Sequence, residues 1–386
     1  MKKLIPVSIV IVLVTALIYG RGIKSAAAQT TALAQTSVSS GASSIPSWQN
    51  EWNRTVAAGT KEGKVVIYTT AIPATRTSVA DVFKKRYNIT VEYIVGRGSE
   101  LLPKLTQERK AGLYLADLYI AGATTQVNDM KPRGMLDPLK PLLILPEVTD
   151  PKGWWAGRLY FCDKEAQYAL GFSLYAVGSM AQNTDLVKPQ EIKSYKDFLN
   201  PKWKGKLVLG DPTVPGSGLR LFSTVGGYIM GMDYMRELAK QEPLITRDQR
   251  QATEWVARGK YPIVIGIVQE VIESFKKVGA PLNYISPSEG TWLSSSPGVI
   301  SLINKSAHPN AAKVFLNWLL TKEGQTVYSR ASGIQSARVD VPTDHLDADW
   351  LRDPAAKYLF ADDADVLSRE EEFTKLAKDI FRSLLK

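Results

Sequence analysis

Apolar positions along this chain switch between two periods. Trp48, Trp52 and Val56 recur at helical spacing, and Gly59 and Gly63 mark a stop before a β-branched run at 64–69. Helical spacing returns at 77–86 and 99–111, with strand-like runs at 90–95 and 115–121. A second cycle follows: a strand at 206–210, a helix after Gly218, an amphipathic helix at 248–258, a strand at 262–267 and a helix running to Lys277. Strands alternating with helices predict α/β layers on largely parallel sheets. Two cycles predict two lobes. Apolar segments at 168–180 and 282–302 are placed to cross between them, so the fold class expected is α/β, two lobes joined by a two-strand hinge with a ligand cleft between. The expected boundaries are 48–175 with 290–345 for the first lobe, 176–289 for the second, and 346–386 for a C-terminal helical segment packed on the lobes.

The N-terminal end adds export to this picture. Lys2 and Lys3 precede an apolar run over 4–20 and then Ala26-Ala27-Ala28, the charged, apolar and small-residue order of a secretory signal spanning 1–28. An uncleaved anchor is the alternative, because the run nearly spans a bilayer and Arg21 and Lys24 flank its far side. Either route carries the remaining chain to the periplasmic or extracellular face of the membrane. Residues 29–47 turn to Ser, Thr, Ala, Gln and Gly and read as a flexible linker. Cys162 is the only cysteine, so neither a lipid anchor near the export segment nor an internal disulfide is available, and stability must come from burial. With 45% hydrophobic residues over 386 positions, two cores can be filled. Loss of Lys2, Lys3, Arg21 and Lys24 would lower the formal charge from +10 to +6. No dense Lys/Arg run carries interleaved aromatics, which argues against nucleic acid as a partner.

In open α/β sheets, ligands sit beyond the carboxyl ends of strands, where loops enter helices. Those loops hold Thr69, Thr70 and Ala71, then Arg97, Gly98 and Ser99, then Ala121 and Thr124 in the first lobe, and Thr213, Gly216, Ser217, Gly218 and Arg220 in the second. Glycines and hydroxyls at a helix start let free N–H groups approach an anion. Arginine adds a fork suited to carboxylate or phosphate. Arg97 is the leading candidate for ligand contact, whereas Ser99 and Ser217 are equally suited to capping helices and Arg220 to a surface ion pair. Gln269 is placed to reach the cleft, Glu270 to point away, and Trp292 either to stack on a ligand or to pack at the hinge. His308 and His345 are distant in sequence and suggest no metal site. Glu370-Glu371-Glu372 reads as a solvated helix face.

The order of several runs resembles one family. Lys64-Val-Val-Ile-Tyr68, Asp81-Val-Phe83, Glu100-Leu-Leu through Glu108 and Ala116-Asp117-Leu118 resemble the first lobe of family 1 extracellular solute-binding proteins. Pro297-Gly298-Val299, the stretch from Ala307-His308-Pro309 to Lys313, Trp318-Leu319 and Glu323-Gly324-Gln325 continue the likeness. It implies the type II periplasmic-binding fold, a small-molecule solute held between lobes, and an ABC importer as partner, its membrane permease directly and its ATPase indirectly; a monomer without a cofactor is expected. The ferric-ion-binding branch is the nearest in pattern. Its iron ligands, a histidine, a carboxylate and two adjacent tyrosines, fall here on Ile72, Gly122, Gln269 and Glu270, none of which matches. With iron disfavoured, Arg97, Arg220 and the two glycine/serine helix starts make an anionic solute, an organic carboxylate, phosphonate or phosphorylated compound, the main reading. Iron held by other groups such as Tyr68 or Tyr228, and a tethered sensor or transferase on the same fold, are the alternatives.

Signals for an enzyme are incomplete. Gly171-Phe-Ser173-Leu-Tyr175 lacks the closing glycine of a nucleophile elbow. Gly59 to Val65 is too short for a phosphate-binding P-loop, and Gly96-Arg-Gly98 lacks the third glycine of a dinucleotide fingerprint. A binding protein is expected.

Overall fold

The computed structural model describes residues 46–188, 190–348 and 351–385, which belong to a unit spanning Ile45–Lys386. The expected export segment and all but the end of the expected linker lie outside the described residues. Among the described residues, no helix is long and apolar enough to cross a membrane.

α1 (Ser47–Glu62) ends at Gly63, whose φ of 75° suits the left-handed cap that closes a helix. β1 (Lys64–Thr69), α2 (Pro73–Tyr87), β2 (Thr90–Val95), α3 (Gly98–Lys110) and β3 (Leu118–Ala121) follow in the expected order, then β4 (Leu136–Asp137), the single turn α4 (Pro146–Thr149), β5 (Tyr160–Phe161) and β6 (Ala169–Gly171). Both faces of β1 are covered. Val65 and Ile67 share one apolar cluster with Val79 and Phe83 of α2, while Val66 and Tyr68 share another with Leu101 and Leu105 of α3. A strand buried on both sides reads as a continuous apolar run rather than an alternating one. Phe83 is fully buried, which contributes roughly 2–3 kcal/mol.

The chain crosses through β7 (Tyr175–Ala176) into β8 (Met180–Asn183), β9 (Leu207–Gly210), α5 (Ser217–Leu221), α6 (Met232–Lys240), β10 (Leu244–Thr246), α7 (Gln249–Ala257), β11 (Ile263–Ile265), α8 (Gln269–Lys276) and β12 (Leu282–Tyr284). α5 runs directly into a π-helical stretch, Phe222–Ile229. The strands again divide their side chains between two clusters. Leu207, Leu209, Ile263 and Ile265 pack with Phe222, whereas Val208 and Val264 pack with Val256 and Ile272. The chain returns through β13 (Thr291–Ser294), β14 (Val299–Ile303), α9 (Pro309–Leu320) and α10 (Lys322–Ser332), and finishes with β15 (Tyr358–Phe360), α11 (Ala364–Ser368) and α12 (Glu370–Phe381).

Two larger sheets result. The first has strand order β2-β1-β3-β14-β6-β5 with β4 beside β14, and the second β10-β9-β11-β8-β12. Both are mixed rather than largely parallel. β1 pairs in parallel with β2 and β3, but β14 enters antiparallel to β3 because it returns from the second lobe. β8 likewise enters antiparallel to β11 as the chain arrives from the first lobe. The crossings themselves pair, β7 antiparallel to β13. A third strand joins this hinge: β15 runs parallel to β13, with Trp292 opposite Leu359. The C-terminal segment is thus not purely helical. Phe373, Ala377 and Phe381, one stripe of α12, are buried in the second-lobe core, while Leu367 belongs to the first.

Candidate ligand-binding site

The strands of both sheets deliver their carboxyl ends to a cavity of about 480 Å³. The first sheet's side supplies Gly98 and Ser99 at the start of α3 and Thr124 beyond β3. Across from them stand Gly216, Ser217 and Arg220 of the α5 turn, and Val268, Gln269 and Glu270 at the start of α8. The hinge adds Tyr175, Ser179, Trp292, Ser294 and Ser296, and the C-terminal segment adds Asp362, Val366 and Glu370. α5 can sit so close because its neighbours have no side chains. A Cβ on Gly218 would lie 2.3 Å from the Gly210 carbonyl oxygen, and one on Gly210 would lie 2.2 Å from that of Gly266.

Three hydrogen-bond donors on this wall lack partners among the described residues. The Gly178 N–H donates to Gln269 Oε1 at 2.9 Å, which fixes the amide so that Nε2 is its free end. Gln269 Nε2, Trp292 Nε1 and Ser179 Oγ are buried without a hydrogen-bond partner among the described residues. An unpaired buried donor costs on the order of 1–3 kcal/mol, so a bound acceptor would recover that loss. Arg220 is the only cationic side chain on the wall among the described residues. Its guanidinium donates to the Ala361 carbonyl at 2.8 Å and to Thr124 Oγ1 at 3.4 Å. Asp362 lies 3.9 Å from it, but the same carboxylate also accepts from Ser294 Oγ at 2.8 Å and from the Ser295 N–H at 2.7 Å. Burial, helped by the negative charges of Glu270 and Asp362, pushes the Tyr175 phenol well above its usual range, so it remains a neutral donor.

The sequence-predicted contacts divide. Gly98, Ser99, Thr124, Gly216, Ser217, Arg220, Gln269 and Trp292 line the cavity. Arg97 does not: it stands just before α3, exposed, with its own N–H held by the Glu100 carboxylate at 2.9 Å. Thr69 is buried with its hydroxyl on the Ala71 N–H, Ala121 is buried in β3, Thr213 is turned into the Asp211 carboxylate, and Gly218 lies behind the wall as packing. Thr70 and Ala71 line a second cavity, of about 760 Å³, that shares Glu270 with the first. Ser217 makes no cap but donates to the Gly266 carbonyl at 2.7 Å. Glu370, read as part of a solvated face, lines the first cavity and accepts from Thr124 at 3.5 Å, because α12 docks against the cleft instead of standing off in water.

Residues 67–326 match the family model of the bacterial extracellular solute-binding proteins. The chain belongs to that family. An uncharacterized protein of Haemophilus influenzae is 24% identical over 277 residues, 68% of this chain and 75% of the relative. Solved solute-binding proteins share the type II periplasmic-binding fold. AfuA of Actinobacillus pleuropneumoniae, with fructose-6-phosphate bound, has 20% identity and a TM-score of 0.57 over 83% of this chain and 99% of its own. The Trichodesmium protein in complex with iron and citrate has 17% identity and a TM-score of 0.61 over 82% and 99%. Iron-bound HitA of Pseudomonas aeruginosa has 18% identity and 0.57 over the same shares. Members of this family deliver small-molecule solutes to ABC transporter permeases.

No group of three or more His, Cys, Asp or Glu that could hold a metal occurs among the described residues. Tyr68 donates to Glu108 at 2.6 Å inside the first core, and Tyr228 reaches the Asp365 carbonyl at 3.2 Å on the surface. Neither lines the cavity. Sequence reasoning missed Tyr175, Ser179, Ser294, Asp362 and Glu370. Of these, only the Ser294-Ser295-Ser296 run, a polar interruption inside the predicted 282–302 crossing, carried a local signal.

Proposed function

We propose that this protein is the exported substrate-binding component of an ABC importer and that its solute is a small anion, an organic carboxylate, phosphonate or phosphorylated compound, held in the Arg220 cavity. The observation that carries this reading is the pair of buried, unpartnered N–H donors, Gln269 Nε2 and Trp292 Nε1, on the same wall as Arg220. Donors with no protein acceptor are complementary to a ligand rich in oxygen, and a charged oxygen accepts more strongly than a neutral one. The starts of α3 and α8 supply further partial positive charge. Two structurally similar proteins hold anionic molecules, fructose-6-phosphate in one and citrate with iron in the other. The solute would pass from the closed cleft to the permease, with the protein working outside the membrane, either free or held by its N-terminal segment.

A thermal-shift screen of carboxylates, phosphonates and phosphate esters against neutral sugars and metal ions tests the reading. Ligand at 100 times its Kd stabilises the folded state by about 2.7 kcal/mol, a readily measured shift. Arg220→Ala should reduce the response to the best anion. If sugars or cations shift the melting temperature and anions do not, the solute is not an anion.

A further inference from the structure

The second cavity has the opposite chemistry. It lies between the start of α2, α8, and the segment after α10, and meets the first cavity at Glu270. Its most buried charged group is Glu273, 6% exposed, which accepts one hydrogen bond, from Tyr284 Oη at 3.2 Å, and forms no ion pair among the described residues. A buried carboxylate with one neutral donor is under-compensated. His345 stands on the same wall. Ser329 Oγ donates its only proton to the Ile334 carbonyl at 2.7 Å, so at 3.0 Å it must accept from His345 Nε2–H. In the tautomer with Nε2 protonated, Nδ1 carries the lone pair; it is buried, makes no hydrogen bond among the described residues, and lies 4.0 Å from Asp344 Oδ1. The hydroxyls of Thr70 and Thr75, also on this wall, are buried and have no partner among the described residues, Thr75 being only 2% exposed. Among the described residues Lys277 is the one lysine on the wall, and it is exposed.

We infer that the two cavities are halves of one site and that the solute is dipolar, with its anionic group against Arg220, Gln269 and Trp292 and an ammonium against Glu273 and His345. This rests on the anionic reading above and extends it. An ammonium offers three donors and one positive charge, which matches a buried carboxylate, an imidazole lone pair and hydroxyl acceptors. A plain dianion would leave Glu273 unpaired and facing its own charge.

The test uses the full-length chain, purified in mild detergent, and isothermal titration with matched probes: alkylphosphonates from ethyl to hexyl, and the same compounds carrying a terminal amine. At the chain length that spans the two cavities, the amine should tighten binding about tenfold or more, and in Glu273→Gln that ratio should fall to about one. Equal affinity of the two series at every length would overturn the inference while leaving the anionic reading intact. If neither series binds, or if simple alkylamines bind without any phosphonate, the anionic reading fails and takes the dipolar one with it. A ratio unchanged by Glu273→Gln would also overturn the inference, because the amine would then be held elsewhere.

Discussion

Gly218→Ala puts one methyl group where the structure has two carbonyl oxygens. The added Cβ would lie 2.3 Å from the oxygen of Gly210 and 2.6 Å from that of Asp211. Ordinary contact begins at 3.4 Å, so α5 must retreat by about 1 Å. Neither oxygen can swing aside as a side-chain atom would, since β9 is held between β10 and β11. Overpacking of this kind costs on the order of 1–3 kcal/mol, and a clash with two backbone oxygens belongs at the upper end. Gly122→Ala is the control. Its nearest neighbour is the rotatable Ser296 hydroxyl at 3.3 Å, and its cost should stay below about 1 kcal/mol. Urea unfolding followed by circular dichroism reads both, with equal slopes required for the comparison. Because Arg220 and Ser217 move with α5, the Kd for the best anion should also rise at least about tenfold in Gly218→Ala. Equal urea midpoints for the two variants would show that backbone-to-backbone packing does not seat α5.

Trp292→Phe removes the Nε1 donor while keeping an aromatic ring in the second-lobe core. Anion affinity should fall about tenfold for a change in stability under about 2 kcal/mol, and an unchanged Kd measured by titration would remove Trp292 from the ligand's partners. Burial, reinforced by the negative charge of Asp362, pushes the Cys162 thiol well above its usual range. It should therefore react with a disulfide reagent only as fast as the protein unfolds, and fast reaction of the folded protein would contradict its placement. Burial, with a smaller contribution from Asp129, raises the Tyr119 phenol from 10 to about 12. The folded state holds that proton more tightly, so its contribution, on the order of 2 kcal/mol, is whole below pH 10 and lost as pH climbs towards 12. Tyrosinate absorbance and urea midpoints measured over that range check the sign; constant stability would refute it.

What could be read in the sequence was whatever depends on local pattern. Val65 to Ile67 of β1 and Leu207 to Leu209 of β9 are unbroken apolar runs because both faces are covered, and runs of that kind are visible without any partner. The crossings were also visible, as long apolar stretches that no helix claimed. β15 was not. Three residues carry no period, and their pairing with β13 depends on a segment more than sixty positions away. Asp362 and Glu370 were hidden for the same reason: nothing near them in sequence says that α12 packs its Phe373 against the second lobe. The mixed direction of both sheets follows from the double crossing, which alternation of strand and helix cannot reveal.

The two arginines separate what composition can say from what geometry decides. Both stand beside a glycine-serine helix start, and both have the chemistry to hold an anion. Arg97 comes before its helix, in extended conformation with ψ of 162°, and its side chain is exposed. Arg220 comes one turn inside its helix. Bonds from Cα to Cβ in a helix tilt towards the N-terminus, so a long side chain in the first turn reaches back over the helix start. There it meets Thr124 and the Ala361 carbonyl, and it faces the cavity that Gln269 and Trp292 line. A position four residues along, not a different residue type, turns a surface cation into the positive centre of the candidate site.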